Sequence, residues 1–425
     1  MKFLLITKGF PSLESEDAVQ KIYLFIERFY HKHDFDMVII NLPEYYNLYK
    51  TEKLRNKDEI NFIKKFPKIN IDRIIIPNIN NIFFKILKKI RLIFSTNLFS
   101  FYDNRLLNNK ISEIIDKRNP DKIIVFWDIE SVISCIHKLK EKPSLKIIQF
   151  TGAMPHETSD IMLNNFLRDN QNYFFKIYNF AKYKFLIFKL KFFFIKLCNS
   201  ISLNIFFDTN SDLKKMKIKN FENFGQYSQD FGGKNWLLKR KNSKNILYLN
   251  AGMTTANVNA TYNLIKYIIP HLQYMKSKDS KIFDNFIVAG VENELTNKIK
   301  SLNINWIVFP GWIDKISDAF LNSMCMIVPS DCFFGSRTKI FHALSCGLPV
   351  VTHESNIRFH NNLINEKNIL RANNFGEMKI LITKLLEGKL DIKKLSLNAR
   401  ITFEDNYDYE KTSILDRIIQ KIEDI

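Results

Sequence analysis

The chain has 425 residues, 46% hydrophobic and 25% charged, which suits two or three globular domains with sizeable cores and speaks against disorder. Its five cysteines, at 135, 198, 325, 332 and 346, include no CxxC pair, so neither a zinc site nor a disulfide framework is predicted and a reducing cytoplasm fits. Lys and Arg total 63 against 44 Asp and Glu, a net charge of +19 that suits a phosphate ligand, nucleic acid or an anionic membrane, or reflects only a composition rich in Lys, Asn, Ile and Phe.

The opening, MKFLLITKGFPS, holds too short an apolar run for a signal peptide and reads as a first buried strand. No charge-free run of about 18 apolar residues occurs, so no spanning helix is predicted. KFLLIT, DMVIIN, DRIIIP, KIIVFW, KIIQFTG and LNIFFD are short, β-branched and aromatic, as buried parallel strands should be. Amphipathic stretches such as Val19 to His31 and Asn104 to Asp116 lie between them. This alternation predicts an α/β sheet with right-handed crossovers. Asp34 and Asp36 form an Asp-x-Asp pair, but at the amino end of a strand, where a helix-to-strand turn is expected and a metal site is not.

Gln226 to Asn245 has paired glycines, polar residues and a basic cluster, which is linker chemistry. A second series follows: NILYLNAG, NFIVAG, NWIVFPG, MCMIVPS, LPVVTH and NILRA. The predicted domains are 1–230 and 243–400, with a C-terminal helical segment, 401–425, crossing back to the first. Two such domains would face a cleft lined by the carboxyl ends of their strands, where ligands of doubly wound sheets bind.

Phe334 to Val351, FGSRTKIFHALSCGLPVV, is the richest of these loops. Gly335 and Ser336 let backbone approach a ligand. The free amides at the helix start favour anions, Arg337 forks onto phosphate oxygens and Lys339 adds a point charge. A diphosphate cradle and an ordinary capped helix with two solvated cations both fit. The spacing is neither a Walker loop nor GxGxxG.

GSRTKIFHALSCGLPVV resembles the C-terminal signature of GT-B glycosyltransferases of the family 4, or group 1, type. The resemblance continues in order through ILYLNAGMTTANVNATYNLIKYIIPHL, with its strand, loop and helix ending in Pro-x-Leu, then NFIVAGVENE, WIVFPGWIDKISDAFLNSMCMIVPS and ARITFEDNYDYEK. It covers roughly Asn245 to Lys411. It implies a GT-B fold, two Rossmann-like domains with the nucleotide sugar on the second and the acceptor on the first. It implies sugar transfer from a nucleotide-diphosphate-sugar donor to an acceptor hydroxyl, with retention; no metal or other cofactor is expected if Arg337, Lys339 and helix amides stabilise the leaving diphosphate.

Carried over by position, the resemblance places Gly335, Ser336, Arg337, Thr338 and Lys339 at the diphosphate, with Gly252, Thr254 and Thr255 contributing from the first loop. Val291 and Glu292 fall near the base, and Gly311 and Trp312 beside the nucleotide. The family commonly has two glutamates eight positions apart; here these are Phe334 and His342. A neutral His342 keeps one acceptor for a ribose hydroxyl, and simple helix packing is its rival role. The first C-domain loop lacks the family's usual cations, so Arg337 and Lys339 would carry most of the phosphate charge.

QFTGAMPHETSD, Gln149 to Asp160, puts His156 and Glu157 on an edge where the family commonly has a histidine, so the resemblance makes them candidates to bind acceptor or donor sugar, with His156 the catalytic candidate; a polar helix cap is the plainer alternative. Two stretches, Ile82 to Phe101 and Phe174 to Leu197, mix lysine with aromatic residues, and no Asp or Glu lies between Asp169 and Asp208. They suit helices on an anionic membrane surface, or helices packed on the sheet. The first reading implies a cytoplasmic protein on the inner face of the membrane, acting on a glycan or lipid-linked acceptor of the cell envelope. No nucleic-acid module is recognisable. A non-catalytic GT-B module that binds a nucleotide sugar or glycan is the alternative function.

Overall fold

A computed structural model describes residues 1–12, 17–41, 52–75, 104–126, 128–151, 173–207, 216–250, 254–313, 315–332 and 337–425. The chain forms two units: Met1–Phe224 with Leu415–Ile425, and Gly225–Ile414.

In the first unit the apolar runs become strands β1 (Lys2–Thr7), β2 (Asp34–Asn41), β3 (Asn70–Ile75), β4 (Lys122–Phe126), β5 (Lys146–Thr151), β6 (Leu203–Phe207) and β7 (Phe221–Phe224). They form one parallel sheet in the order β3-β2-β1-β4-β5-β6-β7. Phe3 to Ile6 and Ile123 to Val125 are wholly buried, as strands covered on both faces must be. The helix Arg105–Arg118 shows how the covering layer is specified. Asn104 caps its start by accepting from the Leu107 amide at 3.2 Å; Leu107, Ile111 and Ile115, four residues apart, face the sheet; and Asn119 ends it in the left-handed region.

Asp34 and Asp36 begin β2. Buried Asp36 ion-pairs with Lys2 at 3.2 Å and accepts from Asn70 Nδ2 at 2.7 Å. The closing helix Ile414–Glu423 packs within this unit from Leu415 onward. Arg28 meets Asp416 at 2.7 Å, and Lys122 Nζ donates to the carbonyls of Ile422 and Glu423 at 2.5 and 3.0 Å.

The second unit holds β8 (Ile246–Asn250), β9 (Phe286–Gly290), β10 (Ile307–Gly311), β11 (Cys325–Val328), β12 (Val350–His353) and β13 (Leu370–Ala372), all parallel, in the order β10-β9-β8-β11-β12-β13. The order reverses between β8 and β11. Gly290, at φ +133°, ends β9 where any Cβ would overlap the Asn250 carbonyl, so β8 and β9 meet closely only because it is glycine.

Two sequence expectations change here. The helix after β8 does not end at the Pro-x-Leu of Pro270 to Leu272. It runs Thr255–Asn263, passes through a π turn at Leu264–Ile268 and continues as Ile269–Lys278. The wider turn accommodates a proline that has no amide and would clash in an unbroken α-helix. And Gln226–Asn245 lies inside the second unit, much of it packed on that unit's helices.

Candidate functional site

Because β9 and β12 lie outside β8 and β11, the connections leave these two strands in opposite directions and open a crevice at their carboxyl ends. Two helices start there. Thr254 caps Thr255–Asn263 by accepting from the Asn257 amide at 3.3 Å, and Arg337 is the first residue before Thr338–Ser345. The amide-rich start of a helix favours an anion.

Lys339 reaches back across the crevice. Its Nζ donates to the Leu249 carbonyl at 2.9 Å and to Asn257 Oδ1 at 3.3 Å, tying the β11 side to the β8 side. Burial of the ammonium group pushes its pKa down to about 7, and the neighbouring Arg337 charge adds to that. Burial also lowers the pKa of Arg337. Asn356, from the turn after β12, aims Arg337: its Oδ1 accepts from Arg337 Nε at 3.1 Å while its Nδ2 donates to the Ser330 carbonyl at 2.6 Å. Two cations thus stand together at this helix start, with Asn356, Asn257 and the Leu249 carbonyl among the groups that orient them, and paired cations suit a polyanionic ligand.

The loop after β11 is fixed by asparagines of the facing helix. Asn259 Oδ1 accepts from the Asp331 amide at 3.0 Å and from Ser330 Oγ at 3.2 Å. Asn263 Nδ2 donates to the Pro329 carbonyl at 3.0 Å and to Asp331 Oδ1 at 3.1 Å. On the other side of β8, Asn250 Nδ2 donates to Thr296 Oγ1 at 3.1 Å, and its buried Oδ1 has no partner among the described residues.

The structure brings Thr254, Arg337, Thr338 and Lys339 to this one crevice. Glu292 and the Gly311–Trp312 pair share the carboxyl edge but stand one and two strands away. Glu292 ion-pairs with Lys300 in solvent, Gly311 has φ +74°, and Trp312 is 37% exposed. His342 lies one turn into the helix, its ring 4.6 Å from that of Phe231. His156, Glu157, Gly252, Phe334, Gly335 and Ser336 lie outside the described residues, as does the stretch Ile82 to Phe101.

Phe231 belongs to a strap over the far end of that helix. Its amide donates to Ser345 Oγ at 3.2 Å, and Trp236 covers Gly347, where φ is +59° and any Cβ would overlap the indole. Asp230 accepts from the Gly232 and Gly233 amides at 3.0 and 2.9 Å and from both terminal nitrogens of Arg400, Nη2 at 2.6 Å. The residues that the sequence did not single out are therefore Asn257, Asn259, Asn263, Asn356 and Asp230. Asn259 and Asn263 carried a signal: buried polar groups four apart, beside the core residues Ala260 and Leu264.

Residues 244–387 match the family described as glycosyl transferases group 1. No curated protein sequence matches the chain. Several solved structures share its fold. HepE of Anabaena in complex with UDP has a TM-score of 0.62 at 12% identity, over 100% of both chains. Sucrose-phosphate synthase of Thermosynechococcus elongatus has 0.66 at 10%, over 100% of this chain and 98% of its own. A TarM variant of S. aureus, in complex with fondaparinux, α-GlcNAc-glycerol and UDP, has 0.57 at 13%, over 99% of both.

Proposed function

We propose that this chain, which resembles group 1 glycosyl transferases over residues 244–387 and has the GT-B fold, transfers a sugar from a nucleotide-diphosphate-sugar to an acceptor hydroxyl. The carrying observation is the pair Arg337 and Lys339 at a helix start in the β8–β11 crevice. Breaking the sugar–diphosphate bond builds negative charge on the leaving diphosphate. Cations and amides fixed where that charge grows lower the barrier. In this reading Arg337, Lys339 and the amides of Gly335, Ser336 and Thr338 take that part, and the step invokes no metal.

The other assignments rest on the resemblance. Gly252 and Thr254 border the phosphates, Glu292 the base, Gly311 and Trp312 the nucleotide, and His342 a ribose hydroxyl. His156 serves the reacting sugar. Transfer proceeds with retention, and the acceptor is a glycan or lipid-linked hydroxyl of the cell envelope, met at the inner face of the cytoplasmic membrane. The test is incubation of the pure protein with a panel of nucleotide sugars, UDP-sugars first. Release of nucleoside diphosphate from at least one is expected; binding without release supports the non-catalytic module, and neither binding nor release refutes both.

A pH dependence follows. A bound diphosphate places negative charge beside Lys339 that offsets the repulsion from Arg337 and favours the ammonium form, so its pKa rises and binding takes up a proton. The Kd for a nucleotide sugar, whose bridging diphosphate does not itself titrate near neutrality, should be flat below pH 7. It should then weaken by up to about tenfold per pH unit above. Calorimetric titration from pH 6 to about pH 9 reads this directly. Lys339→Arg, charged throughout, should flatten the profile; an equally steep profile in that variant would assign the effect elsewhere.

A further inference from the structure

The helix Tyr173–Cys198 has two faces of unusual character. Leu190, Phe193 and Leu197 are buried in the core with Ile111, Ile115 and Ile147, and Phe194 packs with Phe206, Met216 and Ile218. The opposite face is also phenylalanine. Phe185, Phe188 and Phe192 are 57%, 68% and 66% exposed. At about 100° per residue they fall within an arc of about 60°. Lys189 and Lys196 border that arc on one side, Lys184 and Lys191 on the other. Lys184, Lys191 and Lys196 are exposed, and Lys189 Nζ lies 5.6 Å from the Phe185 ring centroid.

A helix facing water would present its charges and hide its rings. Here three rings project outward between two rows of lysine, in a stretch from 170 to 207 that holds no acidic residue. No helix among the described residues is long and apolar enough to cross a membrane. Rings at the level of the headgroups, with lysine stems on both sides reaching out to anionic phosphates, satisfy every group on this face. We infer that Phe185, Phe188 and Phe192 bed this helix into an anionic membrane surface, parallel to its plane. The inference deepens the proposed function and rests on its reading of an acceptor presented at a membrane.

The test is sedimentation of the full chain with vesicles of phosphatidylcholine, with and without phosphatidylglycerol. Binding is expected only with the anionic lipid, and salt should weaken it. The triple variant Phe185→Gln, Phe188→Gln, Phe192→Gln should partition at least about tenfold more weakly, and Lys184→Gln with Lys191→Gln should weaken binding and reduce its salt dependence. Because these side chains face outward, nucleotide-sugar cleavage in free solution should be unchanged, which also verifies folding. Equal binding by the triple variant, no preference for anionic vesicles, or self-association through this face in place of vesicle binding overturns the inference. Donor cleavage without vesicle binding sinks this inference alone; vesicle binding without donor cleavage sinks only the proposed reaction.

Discussion

Arg337→Ala is expected to lower nucleotide-sugar turnover by about two to three orders of magnitude, the usual cost of removing one preorganised donor from a charge-stabilising site. The loss should fall mainly on kcat, because negative charge on the leaving diphosphate is greatest in the transition state. Arg337 is aimed by Asn356 and lies at the start of the helix, so its removal leaves the core of the unit intact. The melting temperature should move by only a few degrees. Arg337→Lys should rescue little, since a point charge cannot replace a fork held through Nε. Steady-state kinetics with the active donor checks both variants; turnover within a factor of two of the parent would remove Arg337 from the reaction.

Asp230→Ala should destabilise the second unit by about 3 kcal/mol, measured as a lower denaturant midpoint. The Arg400 side chain is 4% exposed, and its charge would stay buried with Glu404 as its remaining acidic partner. The Gly232 and Gly233 amides would also lose their acceptor. The same contact has an acid signature. Burial opposes ionisation of Asp230, but Arg400 and the two glycine amides outweigh it and hold the pKa below the ordinary carboxylate value. Its stabilisation is therefore complete above the unfolded-state pKa and is lost as pH falls through the lower folded one. Asp230→Ala should shrink the difference in stability between neutral and acid pH. A variant with the parent's midpoint would show that the strap contributes nothing.

The strands and the crevice were legible in the sequence because each rests on a local signal. Runs such as ILYLN and CMIV announce buried parallel strands, and Gly335 to Lys339 concentrate flexible and basic residues before a helix. What the sequence withheld depends on distant pairings. Nothing near Asn356 says that it will aim a guanidinium 19 positions earlier. Phe231 and His342 are far apart in sequence, and paired glycines in a polar stretch read as a linker until Ser345 and Trp236 give Gly232 a packing reason and Gly233 adopts a φ of +67°. The resemblance ends a helix in the Pro-x-Leu of Pro270 to Leu272, and only the π turn before Pro270 shows how the helix goes on.

The His342 ring packs at a tilt of 57° against that of Phe231. The ring is held from outside the crevice by the strap, while Lys339, one residue past the helix start, spans the crevice itself. Substitution at His342 should therefore spare kcat, unlike at Arg337, and the Kd for nucleotide in His342→Ala separates a ribose contact, whose loss would weaken it, from packing on Phe231, whose loss would leave it unchanged.

The most direct measurement is the melting temperature of the protein with each nucleoside diphosphate in turn, in the parent and in Arg337→Ala. A ligand at one hundred times its Kd stabilises the native state by about 2.7 kcal/mol. One nucleoside diphosphate should raise the melting temperature of the parent by several degrees, and the rise should be largely lost in Arg337→Ala. No rise with any of them, or the same rise in both proteins, would contradict a diphosphate seat between β8 and β11.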